Sequence, residues 1–136
     1  MASLFTKIIR GEIPCERIGE NDDFFAFLDI NPIYQGHTLV VPKKEEDVFF
    51  DLDNRLLSQI MVFSKYISRA IERVVPCKRI GVMVAGLEVP HAHVHLVPLT
   101  KTSQLSFSYA TPANTEELKV LSEKIREQLE FLKKEV

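Results

Sequence analysis

Tryptophan is absent from this chain of 136 residues, and glycine, histidine and cysteine are scarce at five, four and two residues. Each shortage excludes something. Five glycines leave little material for glycine-rich phosphate loops. The pair at P-loop spacing, Gly81 and Gly86, is followed by Leu87 and Glu88, where such a loop needs Lys to reach the phosphates. Cys15 and Cys77 lie far apart, each directly after a proline. They form neither a disulfide framework nor a C-x-x-C pair and read as two reduced thiols. Charge of one sign is also missing. A formal net charge of −2 supplies no basic field for a polyanion, so nucleic acid is not an expected partner. No apolar run approaches the ~20 residues of a spanning helix, and Met1–Pro14 lacks the apolar stretch of a secretory leader. The expectation is therefore no membrane partner and a cytoplasmic location.

With 46% hydrophobic and 26% charged residues, the chain suits one domain spanning 1–136. Leu4, Phe5, Ile8 and Ile9 share one side of a short helix that Gly11 closes and Pro14 ends. Strands are expected over Arg17–Glu20, Phe24–Ile30 and His37–Val41, separated by Asn21-Asp22-Asp23 and by Asn31-Pro32. From Leu56 to Val74 apolar residues recur at helical spacing, with Asp53 or Asn54 as N-cap and Pro76 as the stop. Strand patterns return over Arg79–Ala85 and Ala92–Leu99. Asn114, with Glu117 three residues on, starts a last helix. Its narrow stripe of Leu118, Leu121, Ile125, Leu129 and Leu132 packs on the chain's own body or on a partner. The charged run Lys43–Asp47 reads as a solvated loop. The sum is an α+β fold, with an antiparallel sheet of about five strands, a short N-terminal helix, a long central helix and a C-terminal helix.

The scarce histidines are concentrated. His91, His93 and His95 alternate along a strand pattern and project to one face, ~6.5–7 Å apart, while Ala92, Val94 and Leu96 face an apolar layer. His37 opens another strand. Two imidazolium charges ~5 Å apart repel by roughly 3 kcal/mol at an effective dielectric of ~20, so the group must be mostly neutral near pH 7. Spacing alone leaves two chemistries open. One is zinc held by His-x-His with a third ligand. The other is nucleophilic catalysis by one imidazole that its neighbours orient and assist.

Three further segments accompany His91–Val97: Leu4–Pro14 (LFTKIIRGEIP), Phe25–Pro32 (FAFLDINP) and Gly36–Lys43 (GHTLVVPK). In this order they resemble the histidine triad family over about residues 4–99, the expected core. A helical extension of about 114–135 follows. The resemblance implies a homodimer acting on purine nucleotides at the α-phosphate, without a cofactor or metal. It makes His93 the nucleophile and gives His95 the phosphate contact and proton transfer. His91 and His37 would hold and polarise the ring of His93. Asp29 stands at the ribose-binding carboxylate, and Phe5, Ile8, Phe27, Ile30 and Leu39 at the base pocket. The implied activity is hydrolysis of nucleoside 5′-phosphoramidates or aminoacyl-adenylates through a nucleotidyl-histidine. The alternatives are dinucleoside polyphosphate hydrolysis and a nucleotide-binding interaction module with little activity. His95, rather than Gln, at the end of the triad favours transfer to water. The chain departs from the family pattern in the loop upstream of the triad, which is short and lacks the usual Asn, and in two further places. Leu87 and Glu88 replace a Gln and a hydroxyl residue before the triad. Ser3 and Thr6 replace the Cys-x-x-Cys of zinc-holding bacterial relatives, so no structural zinc is expected.

Overall fold

The computed structural model describes residues 2–134. Residues 1, 135 and 136, the ends of the expected domain and helical extension, lie outside the described residues. Helix α1 (Leu4–Ile9) starts where the Ser3 hydroxyl accepts from the Thr6 N–H at 3.1 Å. Only Phe5 and Ile8 of its apolar set are buried, whereas Leu4 is 46% exposed. Strands β1 (Arg17–Glu20), β2 (Phe24–Leu28), β3 (Thr38–Pro42), β4 (Arg79–Met83) and β5 (Val94–Leu99) form one antiparallel sheet in the order β1-β2-β3-β5-β4.

Helix α2 (Asn54–Val74) is capped by Asp53, whose carboxylate accepts from the Leu56 N–H at 2.8 Å. Helix α3 (Thr115–Lys134) follows Asn114, whose side chain accepts from Glu116 and Glu117. Both long helices cover one face of the sheet. Phe24, Ala26 and Leu28 of β2, Val40 of β3, and Val94 and Leu96 of β5 bury themselves there against Ile60, Ile67 and Ile71. Leu118, Leu121, Ile125 and Leu129 join the same core, so the α3 stripe packs on the chain's own body. The approach of α3 is close: a Cβ on Gly19 of β1 would stand 2.7 Å from Leu129 Cδ2.

Period 2 sends the alternate residues the other way. Phe25, Phe27, Leu39 and Val41 meet Phe5 and Ile8 of α1 on the second face. Gly36, at a φ of +91°, turns the chain into β3 and delivers His37 to that face.

Five strand ends differ from the sequence expectation, two of them in β3, which runs Thr38–Pro42 instead of His37–Val41. β2 stops at Leu28, although the Asp29 N–H still donates to the His37 carbonyl at 3.0 Å. β4 stops at Met83 rather than Ala85. β5 begins at Val94, so His91 and His93 precede the strand instead of lying on it. The cause is one long-range hydrogen bond and one local one. The Ala92 N–H donates to the carbonyl of Glu46 at 2.7 Å, and the His91 N–H to that of Val89 at 2.8 Å. These bonds bind the lead-in to two loops and keep it out of the ladder.

Candidate active site

All four histidines are buried on the second face, with at most 5% exposure. A main-chain group fixes the proton on each of three rings, because a carbonyl only accepts and a backbone N–H only donates. His91 Nε2 is 2.8 Å from the carbonyl of Pro42 and therefore carries a proton. His93 Nδ1 is 2.7 Å from the carbonyl of His91 and carries one as well. The Ile33 N–H donates to His37 Nδ1 at 2.9 Å, so the His37 proton sits on Nε2. From there it is donated to His95 Nδ1 at 2.9 Å.

Burial completes the assignment. It lowers His37 to about 4 and His95 to about 3, the latter with help from neighbouring His93 and His37, and it lowers His93 too. All three are neutral near pH 7. The Nε2 of His93 is then a bare lone pair, and the Nε2 of His95 carries the remaining proton. The two rings stand edge to face with centroids 4.9 Å apart. A ring nitrogen with a free lone pair and a ring N–H lie side by side.

The structure brings the four histidines together but distributes their tasks differently from the expectation. His37 holds His95, not His93. His91 orients His93 through its main-chain carbonyl, while its own ring turns to α1. There its Nδ1 meets the Ser3 hydroxyl at 2.7 Å. Asp29 lies beside the relay, its carboxylate 3.7 Å from His37 Nε2 and accepting from the Asn31 N–H at 2.8 Å. Burial raises its pKa above the ordinary carboxylate value, and the Glu88 carboxylate adds to the rise against the Asn31 bond. Phe5, Ile8, Phe27 and Leu39 form one apolar cluster, and Phe5 stacks edge to face on His93 at 5.0 Å. Ile30 is outside that cluster and 65% exposed.

Ligand atoms of Asp29, His37 and His95 lie within 4.8 Å of one another, the donor set of a metal site. The hydrogen bonds argue against that use. To ligate through Nε2, His37 must move its proton to Nδ1, where the Ile33 N–H already donates. The position of the relatives' zinc-binding Cys-x-x-Cys does not suit zinc either. Ser3 and Thr6 offer hydroxyls instead of thiolates. Thr6 donates to the Glu45 carboxylate at 2.7 Å, and the Ser3 N–H also donates to it. These bonds lower Glu45 to about 2. Sequence reasoning missed Glu45. It stood in a charged run that reads as solvated, and nothing local indicates partners 39 and 42 residues away.

The family model of the HIT domain matches residues 10–102. The chain belongs to the HIT family. A HIT-like protein of Borreliella burgdorferi is 34% identical over 120 residues, 83% of this chain and 86% of that one. The adenosine 5′-monophosphoramidase hnt1 of Schizosaccharomyces pombe is 32% identical over 133 residues, 95% of this chain and 99% of that one. Among solved structures, a zinc-bound HIT-family protein of Mycobacterium smegmatis superposes with a TM-score of 0.85 at 25% identity, covering 100% and 99% of the two chains. The HIT fold is thus the α+β sheet and helices described above.

Proposed function

We propose that this HIT-family protein hydrolyses purine nucleotides at the α-phosphate, taking nucleoside 5′-phosphoramidates or aminoacyl-adenylates through a nucleotidyl-histidine intermediate. The observation that carries this reading is the pair of fixed tautomers, a lone pair on His93 Nε2 beside an N–H on His95 Nε2. In the first step His93 Nε2 bonds to phosphorus and the P–N bond of a phosphoramidate breaks. The amine leaves with the proton of His95 Nε2. Positive charge grows on the His93 ring as its neighbour gives up that proton, so the two changes offset each other at short range. The His37 N–H, directed at His95 Nδ1, steadies the electron pair left behind. Water then attacks phosphorus and passes its proton to His95 Nε2. The P–N bond to His93 breaks, the lone pair is restored and the mononucleotide is released. Asp29 would accept from the ribose hydroxyls, and the Phe5 and Phe27 cluster would hold the base. The name of the S. pombe relative agrees with this activity.

Charge favours this reading over dinucleoside polyphosphate hydrolysis. Glu88 acts on both Asp29 and His93. A polyphosphate leaving group would add negative charge beside two carboxylates.

The test is trapping. Quenched reactions with adenosine 5′-phosphoramidate should carry AMP on His93 by mass spectrometry, and His93→Ala should lose at least about a thousandfold in turnover. An adduct elsewhere, or full activity in the variant, would overturn the mechanism. AMP binding with no turnover of any substrate would leave the interaction-module reading standing.

A homodimer is part of the proposal. β4 is an edge strand that exposes Val82, Val84 is exposed just beyond its end, and α2 exposes Met61, Val62 and Tyr66. A second copy would cover this apolar surface. Sedimentation of the purified chain should give twice its mass, and a monomer would remove the claim.

A further inference from the structure

The ring contacts in the site form a row. Phe27 meets Phe5 at 5.6 Å, Phe5 meets His93 at 5.0 Å, His93 meets His95 at 4.9 Å, and His95 meets Phe107 at 5.1 Å. The Phe5 end belongs to the base cluster. The Phe107 end has no assigned use and lies outside the 10–102 segment matched by the family model.

Phe107 does not serve the core. It joins none of the three apolar clusters and remains 39% exposed. Yet its backbone is held firmly. It opens a 3-10 turn, Phe107–Tyr109, where the Ser106 hydroxyl accepts from the Ser108 N–H at 3.2 Å. Leu105 and Ala110, on either side, pack on Ile33, Val97 and Leu99. Further on, the Ala113 N–H donates to the Ile30 carbonyl at 3.0 Å. The fold therefore fixes a half-exposed aromatic ring against the proton donor, at the opposite end of the row from the base.

We infer that Phe107 receives the leaving group, and that the preferred leaving groups are amines that carry an aromatic ring. This rests on the proposed hydrolase reading. In that reaction the atom leaving phosphorus takes its proton from His95 Nε2, so the departing group lies against the His95 ring, and the next surface is Phe107. Edge-to-face contact with His95 leaves part of the Phe107 ring open to a second ring, and such aromatic pairs favour aromatic over saturated partners.

The experiment compares adenosine 5′-N-benzylphosphoramidate with its N-cyclohexylmethyl analogue, two alkylamine leaving groups of similar size. Unsubstituted adenosine 5′-phosphoramidate is assayed alongside them. The full chain should favour benzyl in kcat/KM by about fivefold to tenfold. In Phe107→Leu, which keeps an apolar side chain on His95, the ratio should fall to about one, while Phe107→Tyr should retain it. Equal turnover of both analogues by the unaltered chain would overturn the inference and leave the hydrolase reading intact. An equal loss on both analogues in Phe107→Leu would also overturn it, reducing Phe107 to packing. Failure to turn over any of the three phosphoramidates would overturn the hydrolase reading and this inference together.

Discussion

The two faces of the sheet solve opposite problems with the same strands. Towards α2 and α3, the alternate residues of β2, β3 and β5 are apolar except Thr38, whose hydroxyl donates to the Gly36 carbonyl at 2.9 Å. The other strand residues there need no partner beyond good packing. The other face buries four imidazoles and holds Asp29 beside them. Each of these polar groups costs desolvation and must be matched with a hydrogen bond. The matches come from the main chain of Pro42, His91, Ile33 and Asn31 and, for His95, from the His37 ring. One face supplies stability, and the other draws on it to hold groups in chosen protonation states.

Three measurements sharpen or break this division. The largest effect expected is on stability alone. Ile60 is fully buried under the helix-covered face, so Ile60→Ala should cost about 2–5 kcal/mol in urea denaturation. Turnover per folded molecule should stay within about twofold. A large loss of turnover with little loss of stability would show that the faces are not separate.

The second concerns pH. Unfolded histidine takes up its proton near ~6.5, whereas the folded chain resists protonation of His37 until about 4 and of His95 until about 3. Between these limits the unfolded state binds more protons, so stability falls as pH falls. The expected loss is roughly 1 kcal/mol per pH unit for each histidine below ~6.5. His37→Gln should flatten that slope in unfolding curves taken between pH 7.5 and 4.5. An unchanged slope would place the pH sensitivity outside the site face.

The third and smallest effect is on ligand affinity. Asp29→Ala should weaken AMP about tenfold by calorimetry and leave 2′,3′-dideoxy-AMP nearly unaffected, because only AMP offers hydroxyls to the carboxylate. Equal losses would remove Asp29 from ribose recognition.

Much of this was legible in the sequence because it depends on local periodicity. All five strands and the three longer helices were placed, and the Asp53 and Asn114 caps lie at the expected positions. The division between the faces followed from alternation. What escaped depends on contacts between distant segments. The late start of β5 is caused by Glu46, and the anchoring of α1 by Glu45. Phe107 meets His95 only because the segment after β5 folds back over the site. The expectation that His37 steadies the His93 ring failed for the same reason. Strand order fixes which rings are neighbours, and β3 pairs with β5 so that Leu39 stands opposite His95.

The carbonyl that orients His93 has an evolutionary consequence. It belongs to the backbone of His91, and every amino acid at position 91 would carry the same group. No codon other than that of His93 itself encodes the tautomer of the proposed nucleophile, so a substitution at position 91 cannot delete it directly. It is lost only when the lead-in to β5 moves. Wherever His93 is kept, the proton on its Nδ1 is therefore inherited with the backbone rather than with any neighbouring side chain.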